Sequence, residues 1–194
     1  LLDNMDGITA GTVILALIAL ALVGAALNPG APMNAFAALG AGAAAGFLAF
    51  NFSPARIYMG DSGSLSLGTM VAVSALSRGN AGSIGGFDVM LLSALVCWVP
   101  IFDTTLVTVA RLREGRPVSL GGRDHTAHRL HGLGWSERKI ALALYIVTIL
   151  TGFFAYTVWT GLVRGFYPVL AAWLAASFTL GYFFLKPKLS SNVK

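Results

Sequence analysis

Charge is scarce in this chain. Its 194 residues carry 13 Lys and Arg and 8 Asp and Glu, 11% of the total, whereas a soluble domain averages about 25%. So few charges cannot cover the surface of a water-soluble globule of this size. Disorder is excluded as well, because 56% of the residues are hydrophobic and disordered chains need the opposite balance. Cysteine is nearly absent: Cys97 alone, inside an apolar run, rules out a disulfide framework and reads as a small buried hydrophobe. The chain opens on Leu1-Leu2-Asp3 without an initiator Met, a basic leader or a signal-type cleavage site, and the apolar stretch that follows is too long for a signal core. The expectation is a sequence that begins inside a larger protein. What remains is an all-α, polytopic membrane protein.

Apolar blocks of membrane-spanning length predict six transmembrane helices in one membrane domain over 1–194, at about 7–27, 33–50, 63–77, 89–110, 140–162 and 166–185. The Asn28-Pro29-Gly30-Ala31-Pro32 turn separates the first two. Pro100 and Asp103 interrupt the fourth, and Gly42-x-x-x-Gly46 in the second suits close helix packing. Alternation then puts segments 1–6, 51–62, 111–139 and 186–194 on one face, where 11 of the 13 basic residues fall, Arg78 and Arg164 being the exceptions. By the positive-inside rule that face is cytoplasmic. The net charge of +5 is thereby a topology signal. No soluble basic domain exists to carry a nucleic-acid partner.

The chemistry-bearing residues gather on the same face. In LLDNMDG at 1–7, Asp3 and Asp6 stand three apart and share a helix face if the first helix extends back over them. They read either as helix caps or as the rim of a metal or substrate site. In FNFSPARIYMGDSGS at 50–64, small residues around Asp61 lead into a helix. Such a turn lets backbone N–H groups approach an anion, beside a carboxylate suited to Mg²⁺ on a diphosphate; a plain turn with an Asp cap is the alternative. In GGRDHTAHRLHGLG at 121–134, His125, His128 and His131 recur every three residues. They are either solvated or grouped for a purpose. Of Arg111, Arg113, Arg116, Arg123, Arg129, Arg138 and Lys139 in the same loop, either some bind phosphate or all only fix orientation. Asp103, within an apolar run, costs about 2.5–3.5 kcal/mol on insertion scales and so needs a partner or a wet cavity.

In this order, these segments resemble the polyprenyl-phosphate N-acetylhexosamine-1-phosphate transferases of the glycosyltransferase family 4 type. LLDNMDG looks like the end of that family's Asp-Gly motif, FNFSPARIYMGDSGS like its most specific signature, PIFD at 100–103 fits, and GGRDHTAHRL looks like its cytoplasmic histidine loop. The likeness runs along the whole chain but corresponds to the C-terminal half of a full-length member. It implies transfer of N-acetylhexosamine-1-phosphate, GlcNAc-1-phosphate on the histidine pattern, from a UDP-sugar to a polyprenyl phosphate such as undecaprenyl phosphate. UMP is released, as the first membrane step of an envelope glycan such as lipopolysaccharide or teichoic acid. It implies Mg²⁺, with Mn²⁺ as a substitute, on Asp61. Catalytic roles fall to Asp61, His125 and His128, and substrate contacts to Asp3, Asp6, Asn51, Tyr58, Arg123 and Arg129, with Tyr58 stacking on uracil. It further implies a multi-pass protein of the bacterial inner membrane, among membrane lipid, with its site facing the cytoplasm; a homodimer is compatible with it. The family's paired aspartates of an earlier loop are not in this sequence, so the piece alone is expected to be inactive. A phospho-N-acetylmuramoyl-pentapeptide transferase is the alternative within the family. From another class the alternative is a secondary transporter, which would place its charges near the bilayer midplane in repeated halves.

Overall fold

The computed structural model describes residues 5–77, 86–119, 122, 124–162 and 166–185. Among these the chain is all-α, with α1 at Ile8–Leu27, α2 at Pro32–Asn51, α3 at Gly60–Leu76, α4 at Gly86–Val96, α5 at Trp98–Arg113, α6 at Thr126–His131, α7 at Glu137–Trp159 and α8 at Phe166–Leu185. Each of the six predicted apolar blocks is helical. Helix α1 lies at the centre, against α2, α3 and α7. It is apolar all round, as a helix with neighbours on several sides must be. Small residues set the spacing. An Ala Cβ at Gly152 of α7 would come within 2.8 Å of Ala19, and the ring of Tyr145 lies directly over Gly11. One core cluster joins Leu20 and Val23 of α1 to Leu92 and Leu95 of α4 and Ala155 and Trp159 of α7. A second joins Leu17 to Ala37 and Ala41 of α2.

Several expectations need correction. On length and hydropathy, α1, α2 and α7 qualify as membrane spans, with a fourth if α4 and α5 count as one. Six are not reached on that measure, because α3 has 17 residues with Asp61 and several serines in its first half and the apolar stretch Leu170–Leu185 of α8 is short. The fourth block breaks at Cys97, not at Pro100, and its two halves meet at 82°. Pro100 is the third residue of α5, where a helix asks for no N–H donor, so proline costs nothing there. The first helix does not reach back over Asp6, since Gly7 adopts φ 75° and α1 starts at Ile8. Gly42 and Gly46 face open space, whereas Gly40 packs against Met70 and Leu17. Large side chains such as Leu39 and Phe178 stay three-quarters exposed, an apolar exterior that a bilayer would cover.

Candidate active site

One end of the bundle gathers segments that lie far apart in sequence. Asn51, at the last turn of α2, is 5% exposed. Its Oδ1 accepts from the Gly7 N–H at 3.1 Å, and its Nδ2 donates to the Ile57 carbonyl at 2.9 Å. A donor on one side and an acceptor on the other fix the amide orientation. Asp6 Oδ2 accepts from the Ala55 N–H at 2.8 Å. The Ser53 hydroxyl donates to Glu137 Oε2 at 2.8 Å, and Arg138 Nε donates to the Ser53 carbonyl at 2.9 Å. The Tyr145 hydroxyl reaches the Gly7 carbonyl at 2.6 Å. Beneath these bonds Ile8, Ala127, Ile140 and Ala141 form a small apolar cluster with Phe52. Asp6 and Gly7 and the 50–64 motif are thus bolted to each other and to the start of α7.

Asp61 stands exposed in the first turn of α3, and no hydrogen bond or ion pair occupies its carboxylate among the described residues. One turn further on, Ser64 and Leu65 line a cavity of about 350 Å³ with Thr9 and Thr12 of α1 and Pro100 and Thr104 of α5. Among the described residues no three His, Cys, Asp or Glu side chains are grouped to hold a metal. A lone exposed carboxylate nevertheless fits Mg²⁺, a hard cation that takes one or two carboxylates and fills its shell with water and phosphate oxygens.

The histidine segment forms α6, against α5. His125 Nδ1 lies 2.7 Å from Asp103 Oδ2, and Asp103 Oδ1 accepts from the Thr126 N–H at 2.7 Å. His128 stacks obliquely near His125, their ring centroids 6.4 Å apart. His131 turns away, its Nδ1 3.1 Å from the Trp135 carbonyl. Arg129 donates from Nε to the Asp124 carbonyl and from Nη1 to the Phe184 carbonyl, both at 2.7 Å, joining α6 to the end of α8. Asp124 receives Arg116 Nη2 at 2.9 Å and Arg111 Nε at 3.1 Å. The Arg116 hydrogen bond, helped by Arg111 and opposed by partial burial, holds its carboxyl below the usual range.

Of the sequence-predicted site residues, Asp6, Asn51, His125, His128 and Arg129 join this network. Tyr58 lies on the connecting loop, 78% exposed. Asp3 and Arg123 lie outside the described residues. Asp103, a charge within an apolar run, and His125, in the histidine cluster, each carried a signal, but nothing in the sequence paired them across 22 residues. Tyr145 carried none.

The sequence pattern of glycosyl transferase family 4 matches residues 1–79. Over 148 residues the chain is 35% identical to a probable undecaprenyl-phosphate N-acetylglucosaminyl 1-phosphate transferase of Bacillus subtilis (strain 168), covering 76% of this chain and 40% of that protein. It is 33% identical over 160 residues to a decaprenyl-phosphate N-acetylglucosaminephosphotransferase of Mycobacterium tuberculosis (strain ATCC 25618 / H37Rv), covering 74% and 40%. A phospho-N-acetylmuramoyl-pentapeptide-transferase of Nostoc punctiforme (strain ATCC 29133 / PCC 73102) is 35% identical over 152 residues, covering 76% and 39%. The chain therefore spans about 40% of the length of these curated relatives.

Proposed function

We propose that this chain, which matches glycosyl transferase family 4 over residues 1–79, is the part of an enzyme that moves N-acetylhexosamine-1-phosphate, with GlcNAc as the sugar, from a UDP-sugar to a polyprenyl phosphate. An oxygen of the acceptor phosphate attacks the sugar-bearing phosphorus. The bond from that phosphorus to the bridging oxygen breaks, and UMP leaves with the oxygen, giving a polyprenyl diphosphate sugar. The observation that carries this reading is the convergence of residues 5–8, the 50–64 segment and the histidine helix on one end of the bundle, through Asn51–Gly7, Ala55–Asp6 and the packing of Ile8 and Phe52 with Ala127. Phosphoryl transfer depends chiefly on positioning and charge neutralisation. A rigid rim of loops tied to helix ends suits that task.

Asp61 would hold Mg²⁺, which when bound neutralises diphosphate charge and polarises the phosphoryl oxygens. His125 and His128 would face the diphosphate. Arg129 commits two of its five N–H donors to the Asp124 and Phe184 carbonyls, so its main effect is to hold α6 in place. Asn51 and Asp6 would shape the nucleotide side by fixing the 52–59 loop, on which Tyr58 offers an exposed ring to the uracil. Asp3 and Arg123 would complete the substrate contacts. The setting we propose is the bacterial inner membrane, with this rim toward the cytoplasm.

The test is UMP release by the intact protein, given undecaprenyl phosphate, Mg²⁺ and UDP-GlcNAc. Asp61→Asn should abolish it while expression and membrane insertion stay near wild type. Turnover retained in that variant overturns the metal assignment. A wild-type protein that accepts UDP-N-acetylmuramoyl-pentapeptide and refuses UDP-GlcNAc moves the reading to the muramoyl branch, which the Nostoc relative represents.

A further inference from the structure

Asp103 is the only carboxylate among the described residues that is fully withdrawn from solvent, at 3% exposure. Both of its oxygens are engaged. Oδ1 accepts the Thr126 N–H at the first residue of α6, whose N-cap residue, His125, makes no side-chain cap of its own. A carboxylate from α5 thus supplies the cap that the sequence of α6 omits. With Oδ1 pinned on a backbone donor, the carboxylate plane cannot rotate, and Oδ2 is held 2.7 Å from His125 Nδ1. An ionised carboxylate only accepts hydrogen bonds. Nδ1 must therefore carry the proton, and Nε2 becomes the ring atom left for other work. Capping alone would need one oxygen; the second is spent on the imidazole.

We propose that Asp103 is a positioning residue that acts through His125, holding Nδ1–H so that Nε2 is presented to a phosphate oxygen of the substrate. This rests on the phosphotransfer reading above. When Nε2 is protonated, the buried carboxylate balances the charge on the ring, and Nε2–H donates to the oxygen where negative charge accumulates. His128, with its ring 6.4 Å away, flanks the same oxygen cluster.

Asp103→Asn separates the two duties. Its carbonyl oxygen can still cap Thr126, but its amide then donates to His125 Nδ1 and forces the proton onto Nε2 of a ring left without a counter-charge. In the intact protein, kcat for UMP release should fall by about 100-fold or more, the usual scale for a proton-handling group, with KM for the UDP-sugar within about threefold. If Asp103 works through His125, adding Asp103→Asn to His125→Ala should cost less than about threefold further, the signature of residues acting as a unit. Multiplicative losses in the double variant, or wild-type kcat in Asp103→Asn, overturn the proposal. A second measurement needs neither activity nor a stable variant. The ¹⁵N spectrum of side-chain-labelled wild-type protein, taken where the ring is neutral, should show the His125 proton on Nδ1. A proton on Nε2 overturns the proposal even if UMP is released. If no UMP is released yet the Nδ1 tautomer is found, it is the phosphotransfer reading that has failed.

Discussion

Asn51→Asp is nearly isosteric, yet it should be among the most damaging single changes at this rim. The carboxylate keeps an acceptor for the Gly7 N–H but has no donor for the Ile57 carbonyl, and instead sets an anionic oxygen at about the 2.9 Å spacing of the lost bond. The site is 5% exposed, so the charge has little water to relieve it. Losing the bond and leaving the Ile57 carbonyl unpaired costs about 1–3 kcal/mol, and burying an unpaired charge adds several more, bringing the total to about 3–5 kcal/mol. Protonation reverses much of this, because a carboxylic acid can donate to Ile57 as the amide did. The ionic part, about 3 kcal/mol, corresponds to a carboxyl raised by about two pH units above the unfolded value of about 3.9. The folded variant then binds more protons than its unfolded chain, so stability falls as pH rises. Relative to wild type, the loss should grow by about 1.4 kcal/mol per pH unit between about pH 4 and 6 and level off above. Asn51→Ala, which carries no charge, should show a pH-independent loss of about 1–3 kcal/mol. The assay is thermal unfolding of the detergent-solubilised intact protein, scored as the shift from wild type between pH 4.5 and 7.5. An Asn51→Asp curve parallel to wild type, or an alanine variant worse than the aspartate at pH 7.5, would refute the reasoning.

Two other changes probe the same end of the molecule. Gly7→Ala should destabilise by about 1–2 kcal/mol, because φ 75° is strained for an L side chain and the new methyl would press on Phe52 and Tyr145 at 3.3 Å; a thermal midpoint at or above wild type would contradict this. Asp124, held below the usual carboxylate range first by Arg116, contributes stability above about pH 4 that is lost as pH falls through its depressed value. Wild type should therefore lose stability more steeply on acidification than Asp124→Asn, and parallel acid profiles of the two proteins would remove Asp124 from the account.

The helices were legible because a bilayer leaves few places for charge. Runs free of Asp, Glu, Lys and Arg delimit α7, α8 and the α1–α2 pair to within a few residues, and the Asn28-Pro29-Gly30-Ala31-Pro32 turn divides that pair. The break in the fourth block was misplaced because proline is the strongest local breaker, and Pro100 drew attention from Cys97. A proline in a helix's first turn is compatible with that helix, so Pro100 sits just past the bend without making it. The count of six spans is not confirmed at α3, helical at Gly60–Leu76 but short and polar in its first half, or at α8, whose apolar stretch Leu170–Leu185 is short. At the site, residue types were readable and partners were not. Asn51 at the end of an apolar run announces a polar duty, yet its bond to Gly7 crosses 44 positions. Asp103 announces a need for a partner, and only the meeting of α5 with α6 supplies His125.

The break at Cys97 has a practical consequence for mapping the topology of the protein. Helix α4 has 11 residues, about 16 Å of helix, roughly half the hydrocarbon thickness of a membrane. A reporter enzyme fused near residue 97 would therefore report from partway through the bilayer. Its signal would depend on which flanking sequence the fusion retained. Fusions placed after Arg113 would place the reporter beyond both arms of the bend, and disagreement between the two sets of fusions would itself locate the elbow.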